Sequence, residues 1–448
     1  MFRKVLVANR GEIARRIMRA CRHVGAATVA VHSEADASAA HVADADEAVL
    51  IGPAPARESY LNIEAIIHAA RRTQAEAIHP GYGFLSENWR FAEACASADI
   101  TFIGPPAEAI RRMGDKPEAR RLMAAAGVPV LPGSPGPVSD VAEATRLAER
   151  VGFPVLLKAA AGGGGIGMAK VGEAGQLAAA FTAAKRRAEA AFGNGAVYVE
   201  RYLTTPRHIE VQVFGDARGT VVHLHERECS IQRRHQKLIE ESPAPGLDPT
   251  VKARLTAAAV KGAAAIGYIN AGTLEFLLDA DGSFYFLEMN TRLQVEHPVT
   301  EAVTGLDLVV AQLRVAAGES LPWTQDAIAQ RGAAIECRIY AEDPTKNFLP
   351  SPGTISRLEL PAGEGIRVES GVVTGSAVTV HYDPLLLKLV AGGASRLEAI
   401  ARMSEALDRC VIEGVKTTIP FLRRVMAHAD YRRGAVHTQM VEQGAFNA

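Results

Sequence analysis

Gly272-Thr273-Leu274-Glu275-Phe276-Leu277-Leu278 and Phe284-Tyr285-Phe286-Leu287-Glu288-Met289-Asn290 are two β-type runs joined through Asp281-Gly282. Asp-Gly is a preferred two-residue hairpin turn. With these two at its centre, pairing runs outward from Ala280 with Ser283. Glu275 then falls opposite Glu288, and Asn290 lies two residues on along the same face. Like charges so opposed destabilise a sheet by about 0.2–1 kcal/mol unless something neutralises them. A divalent cation does so. Two carboxylates and an amide oxygen are a hard-oxygen set suited to Mg²⁺, completed by water and nucleotide phosphates. A solvated sheet face is the alternative, and it leaves the coincidence in register unexplained.

Beyond Asn290 the chain reads Thr291-Arg292-Leu293-Gln294-Val295-Glu296-His297. If extended, it aligns Asn290, Arg292, Gln294 and Glu296 on one face, offering a cation for an anionic substrate and a carboxylate for proton abstraction. An edge strand facing water has the same alternation. Upstream, Gln232-Arg233-Arg234-His235-Gln236-Lys237 is basic within a balanced chain. It reads as an anion clamp, or as surface pairs of Arg233 and Arg234 with Glu226, Glu228, Glu240 or Glu241.

The run Ala161-Gly162-Gly163-Gly164-Gly165-Ile166-Gly167-Met168 lies between β-type runs at Val155–Ala159 and Met168–Val171, which makes it a hairpin tip. Its backbone N–H groups can curl round phosphate oxygens, with Lys158 adding a point charge. A flexible turn is the plainer reading. The Walker and dinucleotide fingerprints are both absent. Asp115-Lys116-Pro117 looks like a helix start with proline at its first position, leaving Lys116 outside the helix and free to meet a ligand or solvent.

Before about residue 113, β-type runs at Val5–Ala8, Thr28–Val31, Ala77–His79 and Ile100–Ile103 alternate with helical periodicity, including Asn62–Arg72. The pattern implies a parallel, doubly wound sheet whose ligands collect at strand ends, such as His79-Pro80-Gly81-Tyr82-Gly83. Pro129–Pro137 reads as a hinge, and polar Glu319–Gln330 separates a last segment. That segment has a β run at Ala377–Tyr382 and a terminal amphipathic helix at Leu397–Leu407.

The 448 residues are long enough for two to four domains. Lys plus Arg number 49 against 50 Asp plus Glu, which supplies no one-sided field for nucleic acid or anionic membranes. The five cysteines are scattered and never spaced C-x-x-C, so neither a disulfide framework nor a zinc site is expected. No signal peptide or run of about 18 apolar residues occurs, which makes the cytoplasm the expected compartment.

Longer motifs add a resemblance. Ala8-Asn9-Arg10-Gly11-Glu12-Ile13-Ala14, His79-Pro80-Gly81-Tyr82-Gly83-Phe84-Leu85-Ser86-Glu87-Asn88, Gln232–Lys237, Glu288-Met289-Asn290-Thr291-Arg292, Gln294-Val295-Glu296-His297-Pro298-Val299-Thr300, Ala341-Glu342-Asp343-Pro344 and Phe348-Leu349-Pro350-Ser351-Pro352-Gly353 closely resemble biotin carboxylase, over residues 2–445. The resemblance implies an α/β and α+β multidomain enzyme: a Rossmann-like domain at 1–113, an ATP-grasp domain at 114–318 with a mobile glycine-rich lid at about 131–203, and a mixed β C-terminal domain at 331–445.

Carried over by position, it implies ATP contacts at Lys116, Lys158, Gly164, Gly165, Glu200, Arg201, Leu203, His208, Gln232, His235, Glu275 and Glu288. Glu275, Glu288 and Asn290 match ligands for Mg²⁺ or Mn²⁺, with two ions expected. Lys237, Arg292, Gln294 and Val295 match the bicarbonate site, Glu296 the general base, and Tyr82 and Arg338 the biotin contacts. Lys237, Arg292, Glu296 and Arg338 are the implied catalytic set. The expected reaction carboxylates biotin through carboxyphosphate, within an acyl-CoA carboxylase or a pyruvate carboxylase. No Met-Lys biotin-attachment motif occurs and the chain ends soon after the motifs, so biotin is expected on a separate carrier protein, with a carboxyltransferase as partner and a homodimer as the assembly. Ile166, Arg201 and Leu387 depart from the family pattern. The competing readings are an ATP-grasp carboxylate-amine ligase and a non-catalytic nucleotide-binding subunit.

Overall fold

A computed structural model describes residues 1–159, 168–192 and 195–447. The chain begins with five parallel strands, β1 (Lys4–Val7), β2 (Ala27–Ser33), β3 (Glu47–Gly52), β4 (Ala77–His79) and β5 (Thr101–Phe102), in the order β3-β2-β1-β4-β5. The order reverses at β1, so loops after β1 and β4 converge on one crevice, as in Rossmann-like sheets. Asn9, just past β1, donates to the carbonyls of Pro80 and Tyr82, both at 2.7 Å, and so ties the two loops together. Gly81 between them has φ +63, and a Cβ there would meet Asn9 at 3.0 Å.

A small antiparallel sheet follows: β6 (Val155–Ala159), β7 (Ala169–Val171) and β8 (Val197–Arg201), in the order β7-β6-β8. It packs on the helices Val141–Val151 and Ala174–Phe192 through a core of its own that includes Leu147, Val155 and Leu177. The stretch expected to be a hinge is bridged to both neighbours, Val130 to Phe286 and Gly133 to Glu200. Gly164, Gly165 and Ile166 lie outside the described residues.

The central feature is one eight-stranded antiparallel sheet. Its strands are β9 (Arg207–Gly215), β10 (Val221–Arg233), β11 (Gln236–Ser242), β12 (Asn270–Leu278), β13 (Phe284–Asn290), β14 (Ala333–Tyr340), β15 (Ile366–Ser370) and β16 (Leu385–Gly393), in the order β13-β12-β9-β10-β11-β14-β16-β15. Alternation along β9 sends Ile209, Val211 and Val213 into the core with Leu274, Phe276 and the helix residues Leu255 and Ala259, while His208, Glu210 and Gln212 take the other face. That face is buried too, and it is polar.

Four local expectations are corrected. The β12–β13 turn is longer than two residues: Asp279 pairs with Ser283 by N–H to carbonyl, and the Gly282 N–H returns to the Asp279 carbonyl. Lys116 is the first residue of its helix rather than outside it, because Asp115 is the N-cap and accepts from Glu118 N–H. Only Ala377–Val378 of the expected β run at 377–382 pairs as a strand. The helix at Arg396–Arg409 is not terminal, since Ile419–Ala427 and Ala429–Arg432 follow.

Candidate active site

Across the sheet, the registers place Glu288 opposite Glu275, Glu275 opposite Glu210 and Glu210 opposite Arg227. Four charged residues from four neighbouring strands thus form one row on a buried polar face. β13 enters this row through a bulge. Phe276 pairs with Phe286 but Glu275 with Glu288, so Leu287 is the extra residue. It flips the alternation, leaving Phe284, Phe286 and Met289 in the core while Glu288 and Asn290 turn to the polar face.

Lys237 on β11 reaches into the row. Its ammonium lies 2.5 Å from Glu210, 2.8 Å from Glu275 and 2.6 Å from Glu296. Burial penalises that charge, yet three carboxylates hold the Lys237 pKa well above its ordinary value. Burial also works to raise Glu275 and Glu296, and is outweighed: Lys237 and His208 hold Glu275 well below the carboxylate range, and Lys237, Arg338 and Arg227 do so for Glu296. Glu288 behaves oppositely. Burial and the facing Glu275 push it up, and the pull of Lys116 and His208 does not offset them.

The segment after β13 is not extended. It turns into a helix at His297–Thr304 with Pro298 in its first turn, leaving Glu296 at the N-cap. The side chains nevertheless converge. Gln294 donates to Glu275 at 3.0 Å, Arg292 donates to the Asn290 amide oxygen at 2.9 Å and pairs with Glu87 at 2.9 Å, and Glu296 lies 2.8 Å from Arg338. Arg338 on β14 is held from behind by Glu240, at 2.5 Å. The Val295 carbonyl accepts from Lys388 at 2.6 Å, and Lys388 also pairs with Glu12, the partner of the Tyr82 hydroxyl.

Glu275 and Glu288 suit a divalent cation: they face each other across β12 and β13, and burial with the facing Glu275 raises the Glu288 carboxyl. The Asn290 amide oxygen accepts from Arg292 and keeps a second lone pair for a cation. Two further groups lie within metal-binding distance among the described residues, His208 with Glu210 and Glu275, and Glu210 with Cys229 and Glu296. Glu210 is already claimed by Arg227 and Lys237.

A cleft runs from Lys116 past Glu288, Asn290 and Thr291 to Glu87. Glu200 pairs with Lys158 and, at 2.8 Å, with Arg120. Arg201 reaches Asp279 at 3.3 Å, and Leu203 is buried. Gln232 is buried beside the β10–β11 turn, where Arg234 and His235 both adopt positive φ. Arg233 pairs with Glu342 at 2.9 Å rather than with any of the four carboxylates anticipated for it. Leu387, one of the departures, is fully buried opposite Ile339. Sequence reasoning missed Glu87, Glu210, Arg227, Glu240 and Lys388. For Glu210 a signal was available, since His208, Glu210 and Gln212 alternate with Ile209, Val211 and Val213. The five cysteines are buried and free, and no helix among the described residues is long and apolar enough to cross a membrane.

Three family models match the chain: "Biotin carboxylase, N-terminal domain" at residues 1–110, "Carbamoyl-phosphate synthase L chain, ATP binding domain" at 115–324, and "Biotin carboxylase C-terminal domain" at 336–443. The chain is 54% identical over 442 residues to a biotin carboxylase of Nostoc sp., covering 99% of each. It is 53% identical over 443 residues to a second biotin carboxylase, from Bacillus subtilis, covering 99% of this chain and 100% of that one. Among solved structures, the biotin carboxylase domain dimer of Hydrogenobacter thermophilus 2-oxoglutarate carboxylase, in complex with MgADP, ADP and bicarbonate, superposes with a TM-score of 0.92. It is 49% identical and covers 100% of this chain and 99% of that one.

Proposed function

The chain belongs to the biotin carboxylase family, and from that premise we propose that it uses ATP and bicarbonate to carboxylate biotin presented by a carrier protein. The observation that carries this reading is Lys237, which joins the Glu275 end of the row to Glu296 and, through Glu296, to Arg338. Metal-nucleotide edge, anion site and base are thereby contiguous.

ATP is assigned to the cleft beside Lys116 and Lys158, with Glu200, Arg201, Leu203, His208, Gln232 and His235 around it. Gly164 and Gly165 complete the assignment by family resemblance. Glu275, Glu288 and Asn290 would hold Mg²⁺ or Mn²⁺, which supplies Lewis-acid charge for the transferring phosphoryl group. Bicarbonate takes Lys237, Arg292, Gln294 and the Val295 backbone. Its arrival draws Lys237 away from Glu296, and loss of that cation raises the proton affinity of the carboxylate. Glu296 then removes the bicarbonate proton as the oxygen attacks the γ-phosphorus and the bond to the β–γ bridging oxygen breaks. ADP and carboxyphosphate result. Carboxyphosphate releases CO₂ and phosphate; the phosphate takes the N1 proton of biotin, and N1 bonds to CO₂. Tyr82 and Arg338 are the proposed biotin contacts, Arg338 with Arg292 stabilising the N1 anion.

A carrier protein and a carboxyltransferase are the proposed partners, and a homodimer the proposed assembly. ADP release that requires bicarbonate and is stimulated by free biotin, with the stimulation lost in Lys237→Ala and Glu288→Ala, is the expected outcome. ATP hydrolysis indifferent to both but responsive to an amino acid would sink the reading in favour of a carboxylate-amine ligase.

A further inference from the structure

Arg227 lies in the middle of β10, fully buried, and it is the largest such side chain among the described residues. All five of its N–H donors are directed. Nε donates to Glu210, one Nη to the Gln212 amide oxygen and the Thr300 hydroxyl, both at 2.8 Å, and the other Nη to Gln294 Oε1 at 2.8 Å and Thr273 at 3.3 Å. The fork thus ties together β9, β12, the loop after β13 and the helix His297–Thr304.

The contact with Gln294 has a chemical consequence. A guanidinium cannot accept a hydrogen bond, so the Gln294 oxygen must face it. On the far side Nε2 donates to the Glu275 carboxylate at 3.0 Å. Both neighbours impose one amide orientation, with N–H toward the anion site and C=O away from it.

We propose that Arg227 is a positioning residue for bicarbonate: it locks the Gln294 amide so that a donor, never a carbonyl oxygen, faces the substrate anion. The inference rests on the bicarbonate reading of Gln294 given above. A freely turning amide would spend part of its time presenting a lone pair to an anion, so the lock acts on bicarbonate affinity and leaves nucleotide affinity alone.

Arg227→Lys preserves the charge but not the fork. In the full-length protein, initial-rate ADP formation at varied bicarbonate and varied ATP is expected to show the bicarbonate KM raised about tenfold and the ATP KM unchanged. Gln294→Ala should give a similar rise, and the double variant no further one. Thr300→Val, which removes one acceptor of the fork, should raise the same KM by about threefold, and it carries the test if Arg227→Lys does not fold. Additive effects in the double variant, or equal rises in both KM values, would overturn the assignment. If the wild type itself shows no bicarbonate dependence, the proposed function fails instead.

Discussion

Glu288 faces Glu275 because Leu287 has no partner on the neighbouring strand. Regular alternation from Phe284 and Phe286 would have sent Glu288 into the core behind the sheet. Keeping that residue out of the ladder is therefore what lets the two carboxylates meet.

Deleting Leu287 should restore an unbroken ladder in which Glu288 directly follows Phe286, still opposite Glu275 and still on the polar face. Activity is expected to survive, with stability within about 1 kcal/mol of wild type. Leu287→Ala, at a side chain 40% exposed, should fall within about 0.5 kcal/mol of wild type. Urea unfolding with ADP formation reads both variants; a folded but inactive deletion variant would refute the register that opposes Glu288 to Glu275.

Glu288→Gln removes one of two opposed charges. The metal-free protein is expected to gain about 0.2–1 kcal/mol, while the thermal shift produced by Mg²⁺ with ADP in wild type is lost. A variant still stabilised by Mg²⁺ would place the ion elsewhere.

Lys237→Ala strands three buried carboxylates. A loss of about 3–5 kcal/mol at neutral pH is expected. The ammonium is the largest influence lowering the pKa values of Glu275 and Glu296, so the deficit relative to wild type should shrink as pH falls and they protonate. A deficit independent of pH would contradict the network.

Glu240 faces Glu336 across β11 and β14. Burial drives Glu240 from its ordinary 4.5 up to about 7, against the pull of Arg338 and with Glu296 adding to the rise. The folded chain therefore binds the extra proton between those values, and this contribution to stability, full below about 4.5, fades as pH climbs through about 7. The stability of wild type minus that of Glu240→Gln should fall across this window in chemical denaturation. A flat difference would show that Glu240 titrates normally.

The meeting of Glu275 with Glu288 was legible in the sequence for a reason only half right. The turn is one residue longer than Asp281-Gly282 suggests, which by itself would shift the register; the bulge at Leu287 shifts it back. Neither departure has a mark in the local pattern, since an exposed leucine looks like any strand residue. The row from Arg292 to Glu296 was found by alternation although the backbone there is a turn into a helix, and Pro298 was the sign of that ending. Arg227, Glu240 and Lys388 escaped because their partners are distant in sequence: Gln294 is 67 residues from Arg227, and Val295 is 93 from Lys388. A lone arginine in a β run announces nothing until the strand order is known.

The strands β11 and β14 are adjacent, although the chain wanders through three α-helices, a hairpin and a polar crossover between them. Arg338 thus belongs to the same continuous fabric as Lys237, and the crossover is slack in the thread rather than a seam. A polypeptide cut there would leave each piece with a bare selvedge of unsatisfied amides, primed to adhere to its own kind. Evolution can exchange what hangs from this cloth far more readily than it can unpick the weave.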